Sequence, residues 1–161
     1  LHTIVQSAGA ELHHVKPHGA LYNMAARDPE LAHVLAQAVF DFNPALILYG
    51  LSGSPSISQA KALSLRTANE VFADRSYQAD ATLTPRSQPG ALLDSQDKCL
   101  EQVLEMALEN TVTAMDGTKV AIQADSICLH GDGIHGVEFA RAIRAVLLGK
   151  NIAIHAPPYK S

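Results

Sequence analysis

The sequence predicts an α/β fold in which parallel strands alternate with helices. Short apolar runs of strand length recur along the chain, and most are followed by a segment whose apolar residues repeat at helical spacing. Glycine or proline stands at most of the boundaries between these segments. Alternation of this kind is typical of parallel sheets with right-handed crossovers. The pattern alone leaves a closed barrel and an open doubly wound sheet as alternatives.

The first half of the chain divides into five predicted elements. They are a helix tail His2–Ala8, a strand Leu12–Lys16, a helix begun by Asp28 and Pro29, a strand Ala45–Tyr49, and a helix from Ser54 to about Arg66. Asp28 is a favourable N-cap, and Pro29 suits the first helical position. We expect the helix after it to bury one apolar face, formed by Leu31, Val34, Leu35, Ala38 and Val39.

The second half shows the same alternation around one long loop. The predicted elements are a strand Glu70–Asp74, the loop Arg75–Leu93, a helix capped by Asp94 or Ser95, a strand Ser126–Leu129, a helix from about His135 to Leu148, and a short strand Ile152–Ile154. The expected buried stripes are Leu100, Val103, Leu104, Ala107 and Leu108 in the first helix, and Phe139, Ile143, Val146 and Leu147 in the second. Loops as long as this one are often functional.

Composition excludes several classes of function. The chain has 161 residues, which predicts a single domain over positions 1–161. A net charge of −4 and the absence of tryptophan give no reason to expect nucleic acid as a partner. The longest apolar runs are shorter than a membrane span, so no membrane partner is expected. Two cysteines, Cys99 and Cys128, suit a reducing cytoplasm and are predicted to be buried apolar side chains.

Polar side chains follow three of the predicted strands. Because the carboxyl ends of parallel strands meet at one edge of a sheet, we expect them to share one site. Lys16, restrained by the following proline, is suited to bind a carboxylate or a phosphate. His18 is a candidate base, ligand or hydrogen-bond donor. Strand alternation points His13 and His14 to opposite faces, so at most one of them faces this site.

The strand end that carries His130, Asp132 and His135 allows two interpretations. Imidazole and carboxylate groups bind zinc and similar ions, and three such ligands suit metal-assisted hydrolysis. Alternatively, Asp132 caps the following helix, whose N-terminus and neighbouring glycines hold an anion such as phosphate. The spacing matches no established metal motif, so we favour the cap or anion site and predict no bound metal.

The third strand end combines carboxylates with arginines. Asp74 is either a proton-handling group or the ion-pair partner of Arg75. Arg86, in the long loop, has a guanidinium that can bind phosphate or carboxylate through two hydrogen bonds. No Walker-type phosphate loop is present, and Gly50–Ser54 before a helix is only a weak substitute.

Four segments of the sequence resemble the LamB/YcsF family, in the same order and over nearly the whole chain. They are HVKPHGALYN (His14–Asn23), EVFADRSY (Glu70–Tyr77), LTPRSQPGALL (Leu83–Leu93) and CLHGDGIHGVEFARAIR (Cys128–Arg144). The acidic first-strand end and the ACGFHAGDP-like segment of the family are missing, and the chain opens on Leu1. We therefore expect a carboxyl-terminal portion of a distorted (β/α) barrel like that of polysaccharide deacetylases, inactive by itself.

The resemblance implies the A subunit of a cytoplasmic ATP-dependent 5-oxoprolinase, which opens the lactam of 5-oxoproline to glutamate together with the B and C subunits. ATP, with magnesium, is then the expected nucleotide. The residues predicted to be catalytic are Lys16, His18, Asp74 and His130, and those predicted to bind substrate or phosphate are Arg75, Arg86, Asp132 and His135. A metal-dependent amide or carbohydrate hydrolase and a non-catalytic scaffold or inactive fragment remain the alternatives.

Overall fold

The computed structural model describes residues 1–131 and 136–157. Its helices are α1 His2–Ser7, α2 Gly19–Ala25, α3 Pro29–Phe42, α4 Pro55–Ala62, α5 Gln96–Glu109 and α6 Gly136–Gly149. Its strands are β1 His14–Val15, β2 Ile47–Leu51, β3 Arg66–Phe72, β4 Thr111–Thr113, β5 Lys119–Ala121 and β6 Ser126–Cys128. Four strands form one sheet in the order β1-β2-β3-β6, while β4 and β5 form a separate hairpin. The predicted α/β class is confirmed.

Two compact units make up the chain. Unit 1 contains Leu1–Gly50 and Ser54–Ala68, and unit 2 contains Leu51–Gly53 and Asn69–Pro157. Within the described residues, no helix combines the length and the apolar character needed to cross a membrane. The single domain predicted for positions 1–161 stays a prediction.

Unit 1 is built on the parallel pair β1–β2. His14 lies opposite Ile47, and Val15 lies opposite Leu48. Its main apolar cluster consists of Ala36, Val39, Leu46, Leu48, Ala60 and Leu65. These residues come from α3, β2, α4 and the chain next to them, so each element contributes an apolar face to one core.

The start of α3 is as predicted, but its buried face is not. Asp28 Oδ1 accepts hydrogen bonds from the backbone N–H groups of Glu30 at 2.9 Å and Leu31 at 3.2 Å. The buried residues are Ala32, Ala36 and Val39, whereas Val34 is 62% exposed. The prediction followed the larger apolar side chains. The helix instead contributes Ala36 and Val39 to an apolar cluster that also contains Ala60 of α4.

The boundary between α4 and β3 also differs from the prediction. The helix ends at Ala62, four residues before Arg66, and Ser64 adopts a left-handed φ of 61°. That conformation stops a helix and reverses the chain. As a result, β3 begins at Arg66 instead of Glu70 and ends at Phe72, which leaves Asp74 just outside the strand.

Unit 2 is built on the parallel pairing of β3 with β6. Phe72 lies opposite Cys128 at the end of this ladder. The face that α5 buries is Cys99, Val103 and Met106, and the predicted Leu108 is 52% exposed. The face of α6 agrees better, since Phe139, Ile143 and Leu147 are buried as predicted.

Two further features of unit 2 differ from the sequence prediction. The hairpin β4–β5 was not predicted, because its strands are only three residues long and show little apolar alternation. The predicted final strand Ile152–Ile154 is irregular. Three alternating residues give too short a pattern to specify a strand without a pairing partner.

Candidate active site

Asp74 and His130 form a hydrogen-bonded pair just beyond the ends of β3 and β6. Each residue lies two positions past a strand end, and those end residues, Phe72 and Cys128, are opposite each other in the parallel ladder. The register therefore brings the two side chains together, although 56 residues separate them. This is the pair of predicted site residues that the structure joins.

Both oxygens of the Asp74 carboxylate contact His130. Oδ2 lies 2.8 Å and Oδ1 lies 3.0 Å from Nδ1 of the imidazole, and Oδ2 also accepts the backbone N–H of His130 at 3.1 Å. Because an ionised carboxylate only accepts hydrogen bonds, Nδ1 carries the hydrogen. In the neutral imidazole Nε2 then has a lone pair, as in the histidine of a general-base pair.

The surroundings of the pair hold the imidazole in one orientation. Its ring stacks on Phe72, with centroids 5.8 Å apart and planes inclined by 23°. The side chain of Asp74 is 13% exposed and that of His130 is 30% exposed. The carboxylate is thus largely shielded from solvent, whereas part of the imidazole is still exposed to solvent.

A cleft of about 420 Å³ opens beside His130. Its lining residues are Leu129, His130, Gly131, Gly136, Val137, Ala140, Arg141 and Arg144. Gly136 is needed at the start of α6, because a Cβ there would lie 3.1 Å from the carbonyl oxygen of His130. The glycine lets the helix begin close to the backbone of His130 and Gly131. The predicted Asp132 and His135 lie outside the described residues, so their roles stay predictions.

The backbone around Asp74 is fixed from several sides. Ala73 N donates to Cys128 O at 2.9 Å, and Asp74 O accepts from Leu93 N at 2.9 Å. Gln102 Nε2, on α5, lies 2.8 Å from Phe72 O, 3.3 Å from Ala73 O and 2.9 Å from Arg75 O. The carboxylate therefore projects from a backbone segment with little freedom to move.

Arg75 has a different environment from the phosphate site predicted for it. The residue is only 4% exposed, and its guanidinium donates to the carbonyl oxygens of Ala91 and Thr84 within the long loop. Burial, followed by the nearby charge of Arg86, lowers the pKa of Arg75 below its usual value. These contacts indicate a residue that closes the loop, and binding of substrate by Arg75 stays a prediction.

Tyr77 supports the same loop and was not singled out in the sequence. Its side chain is completely buried, and its hydroxyl oxygen accepts the backbone N–H of Phe72 at 2.8 Å. Burial raises the pKa of Tyr77 above its usual value. Arg86, in contrast, lies in the outer part of the loop and is exposed, and its predicted binding of an anion stays a prediction.

The predicted residues Lys16 and His18 belong to unit 1, after β1. Lys16 is half-buried, and its Nζ lies 5.7 Å from the centroid of the Tyr22 ring, in cation–π geometry. His18 is exposed and occupies the N-cap position of α2. Both residues therefore remain accessible to a ligand, and their catalytic roles stay predictions.

The two histidines before Lys16 are in contact with each other. Their Nδ1 atoms are 3.3 Å apart, and the ring of His14 also lies 4.6 Å from that of Tyr49. The contact does not establish the faces of β1 on which the rings lie, so the opposite faces predicted for them stay a prediction.

A metal centre is not evident in the part of the chain that the structure describes. Among those residues, no group of three or more His, Cys, Asp or Glu side chains is arranged to hold a metal ion. Cys99 and Cys128 are thiols and do not form a disulfide.

The LamB/YcsF family matches residues 1–160 of this sequence. The chain belongs to this family. It is 54% identical to the 5-oxoprolinase A subunit of Tolumonas auensis, over 94% of this chain and 60% of that protein. It is 52% identical to the 5-oxoprolinase A subunit of Geobacillus kaustophilus, over 98% of this chain and 61% of that protein. The chain thus spans about three-fifths of the length of these relatives.

A solved structure supports the same relationship. The lactam utilization protein from Thermus thermophilus superimposes with a TM-score of 0.86 at 39% sequence identity. The match covers 96% of this chain and 62% of that protein. This likeness confirms the fold class predicted from the sequence.

Proposed function

We propose that this LamB/YcsF chain acts in the A subunit of an ATP-dependent 5-oxoprolinase, which hydrolyses the lactam ring of 5-oxoproline to glutamate. The observation that carries the proposal is the Asp74–His130 pair, since it supplies an oriented base at a strand end. The names of relatives more than 50% identical to this chain support the choice of substrate. The proposed partners are the B and C subunits, and the proposed compartment is a reducing cytoplasm.

In the proposed reaction, His130 manages the proton of the attacking water. Its Nε2 accepts that proton as the water oxygen bonds to the lactam carbonyl carbon, and Asp74 stabilises the resulting imidazolium through Nδ1–H. The proton then passes to the ring nitrogen as the carbon–nitrogen bond breaks. Water enters, the ring opens, and the base returns to its starting state.

ATP would activate the lactam by transferring its γ-phosphoryl group to the carbonyl oxygen and releasing ADP, because an unstrained five-membered amide resists attack by water. Ring opening by the first water then leaves an acyl phosphate, which a second water hydrolyses to glutamate and inorganic phosphate. Lys16 and Arg86 are the proposed phosphate-binding residues, since each offers an accessible cation. His18 is proposed as a donor to the substrate. Magnesium is expected with ATP.

The test uses the whole protein assembled with its B and C subunits. Glutamate and inorganic phosphate are measured with 5-oxoproline and ATP, and each is omitted in turn. We expect glutamate to form only when both are present, and His130→Ala to lower kcat by about 10²–10⁴. The control is His33→Ala, an exposed histidine on α3, which should leave the rate unchanged.

Two results would redirect the proposal. Loss of activity on removal of a tightly bound metal, together with hydrolysis of simple amides without ATP, would favour the metal-dependent hydrolase. Full activity of the assembled His130→Ala protein would instead favour a non-catalytic role for this chain.

A further inference from the structure

We propose that Gln102 is a positioning residue for the Asp74–His130 pair. It lies on α5, away from the four sequence segments that suggested the site. Its side-chain amide nitrogen reaches three parts of the backbone around Asp74, namely the carbonyl oxygens of Phe72 at 2.8 Å, Ala73 at 3.3 Å and Arg75 at 2.9 Å. The kinetic part of this inference rests on the proposed function, whereas the structural part does not.

The segment that Gln102 contacts has no regular secondary structure of its own. The strand β3 ends at Phe72, and the chain bends through Ala73 and Asp74 before it enters the loop. Buried carbonyl groups in such a bend need hydrogen-bond donors from elsewhere. The two N–H bonds of a carboxamide can serve the two shortest contacts, at Phe72 and Arg75, which lie on either side of Asp74.

The helix that carries Gln102 is itself firmly held. Cys99, Val103 and Met106, which flank Gln102 along α5, are all 0% exposed. The hydrogen bonds of Gln102 therefore link the bend to α5, and they fix Asp74 with respect to the core of unit 2.

Small movements of Asp74 would change its contacts with His130. The carboxylate oxygens lie 2.8 and 3.0 Å from Nδ1, and one of them is also 3.1 Å from the backbone nitrogen of His130. A displacement of the bend by a fraction of an ångström would lengthen or misalign these contacts and so weaken them. Partners that orient a functional side chain in this way often cost 10- to 100-fold in activity when they are removed.

The first measurement reports on the imidazole without any substrate. In the whole protein, Gln102→Met keeps the length of the side chain but removes its donors, and Gln102→Asn keeps the donors but shortens the reach. We expect ¹⁵N chemical shifts to show His130 as the Nδ1–H tautomer in the parent, and as a mixture of tautomers in both variants. Gln96→Met, an exposed glutamine on the same helix, should retain the parent spectrum.

The second measurement asks whether Gln102 acts through Asp74. With the assembled enzyme, Gln102→Met should lower kcat by roughly 10- to 100-fold with little change in KM. In the double variant with Asp74→Asn, the loss should be no greater than for Asp74→Asn alone, because the two residues serve one interaction. A purely structural role would instead lower the melting temperature and give multiplied effects on kcat.

The outcomes separate this inference from the proposed function. Parent-like tautomers in both Gln102 variants, or multiplied losses of kcat in the double variant, would overturn the positioning role. A mixed tautomer in Gln102→Met together with full activity of Asp74→Asn would support the positioning role and reject the proposed catalytic use of the pair.

Discussion

The strand ends after β3 and after β1 present their polar groups in different ways. After β3, Asp74 is bound by the side chain and the backbone of His130. Leu93 N–H donates to its carbonyl oxygen, and Gln102 donates to the carbonyl groups of the neighbouring residues. After β1, Lys16 lies over the ring of Tyr22, six positions further along the chain. The Asp74–His130 contact joins residues 56 positions apart, whereas the cation–π contact of Lys16 joins residues six positions apart.

This difference separates two kinds of functional group. A base must be held in one orientation before the substrate arrives, because its proton transfer depends on distances of a few tenths of an ångström. A cation that meets a charged ligand can remain adaptable, since a compact ammonium attracts an anion from many directions. The rigid β3 end therefore suits proton transfer, and the accessible β1 end suits anion binding.

The largest effect is expected from Asp74→Asn in the assembled enzyme. The amide cannot hold the imidazole in the same tautomer, so kcat should fall by about 10³–10⁴ while the protein stays folded. Glutamate release and the melting temperature should be measured together. Asp41→Asn, an exposed carboxylate on α3, is the matched control. Near-parent turnover in Asp74→Asn would contradict the proton-transfer role assigned to the strand end after β3.

A smaller but still large effect is expected from Lys16→Ala. If the ammonium meets a developing anion, kcat/KM should fall by about 10²–10³. The free energy of unfolding should change by only about 0.5 kcal/mol, because a half-buried cation–π contact contributes little to stability. Lys98→Ala, an exposed lysine on α5, should affect neither quantity. A large loss of stability without loss of rate would instead assign Lys16 a structural role.

The two arginines of the long loop should respond in opposite ways. Arg75→Met removes the guanidinium donor to the carbonyl oxygen of Thr84 and one of the two donors to that of Ala91, which keeps the backbone N–H of Ser76, so the protein should lose roughly 2–4 kcal/mol of stability. Arg86→Met removes an exposed side chain, so it should lower activity while stability changes by less than about 0.5 kcal/mol. Urea unfolding of both variants measures the change in stability, and steady-state kinetics measures the change in activity. Equal losses of stability would contradict the loop-closing role of Arg75.

The smallest effect concerns the pH dependence of stability. Burial, together with the charges of Asp74 and Asp94, raises the pKa of the Cys99 thiol to about 11. The folded state therefore keeps this proton after the unfolded state has lost it, so the thiol's contribution is present below about pH 9 and is lost as the pH rises toward 11. The difference in unfolding free energy between the parent and Cys99→Ala should shrink over this range. A difference that stays constant would indicate a thiol with an ordinary pKa.

The fold was predictable because its main patterns are local. Asp28 and Pro29 mark the start of α3 correctly, since capping depends on residues two or three positions apart. The faces of α3 and α5 were less accurate. Apolar size suggested Val34 and Leu108, but the helices bury Ala36 and Cys99 where close packing favours small side chains.

The candidate site was predictable only as a set of residues. The sequence indicates Asp74 and His130 separately, but it does not contain the register that makes them partners across 56 positions. Gln102 carried no motif at all. Its only sequence signal is a polar residue placed beside the apolar face of α5, and that pattern fits many solvated side chains equally well.

The guanidinium of Arg75 binds carbonyl groups on both arms of the long loop, at Thr84 and Ala91. The six residues between them, 85–90, form a segment whose two ends are both hydrogen-bonded to Arg75. Substitutions or insertions within this segment cost little loop-closure entropy and leave the two hydrogen bonds of Arg75 unchanged. A change at the tip of the loop can therefore alter what the tip contacts while the hydrogen bonds of Arg75 and of the Asp74–His130 pair stay in place.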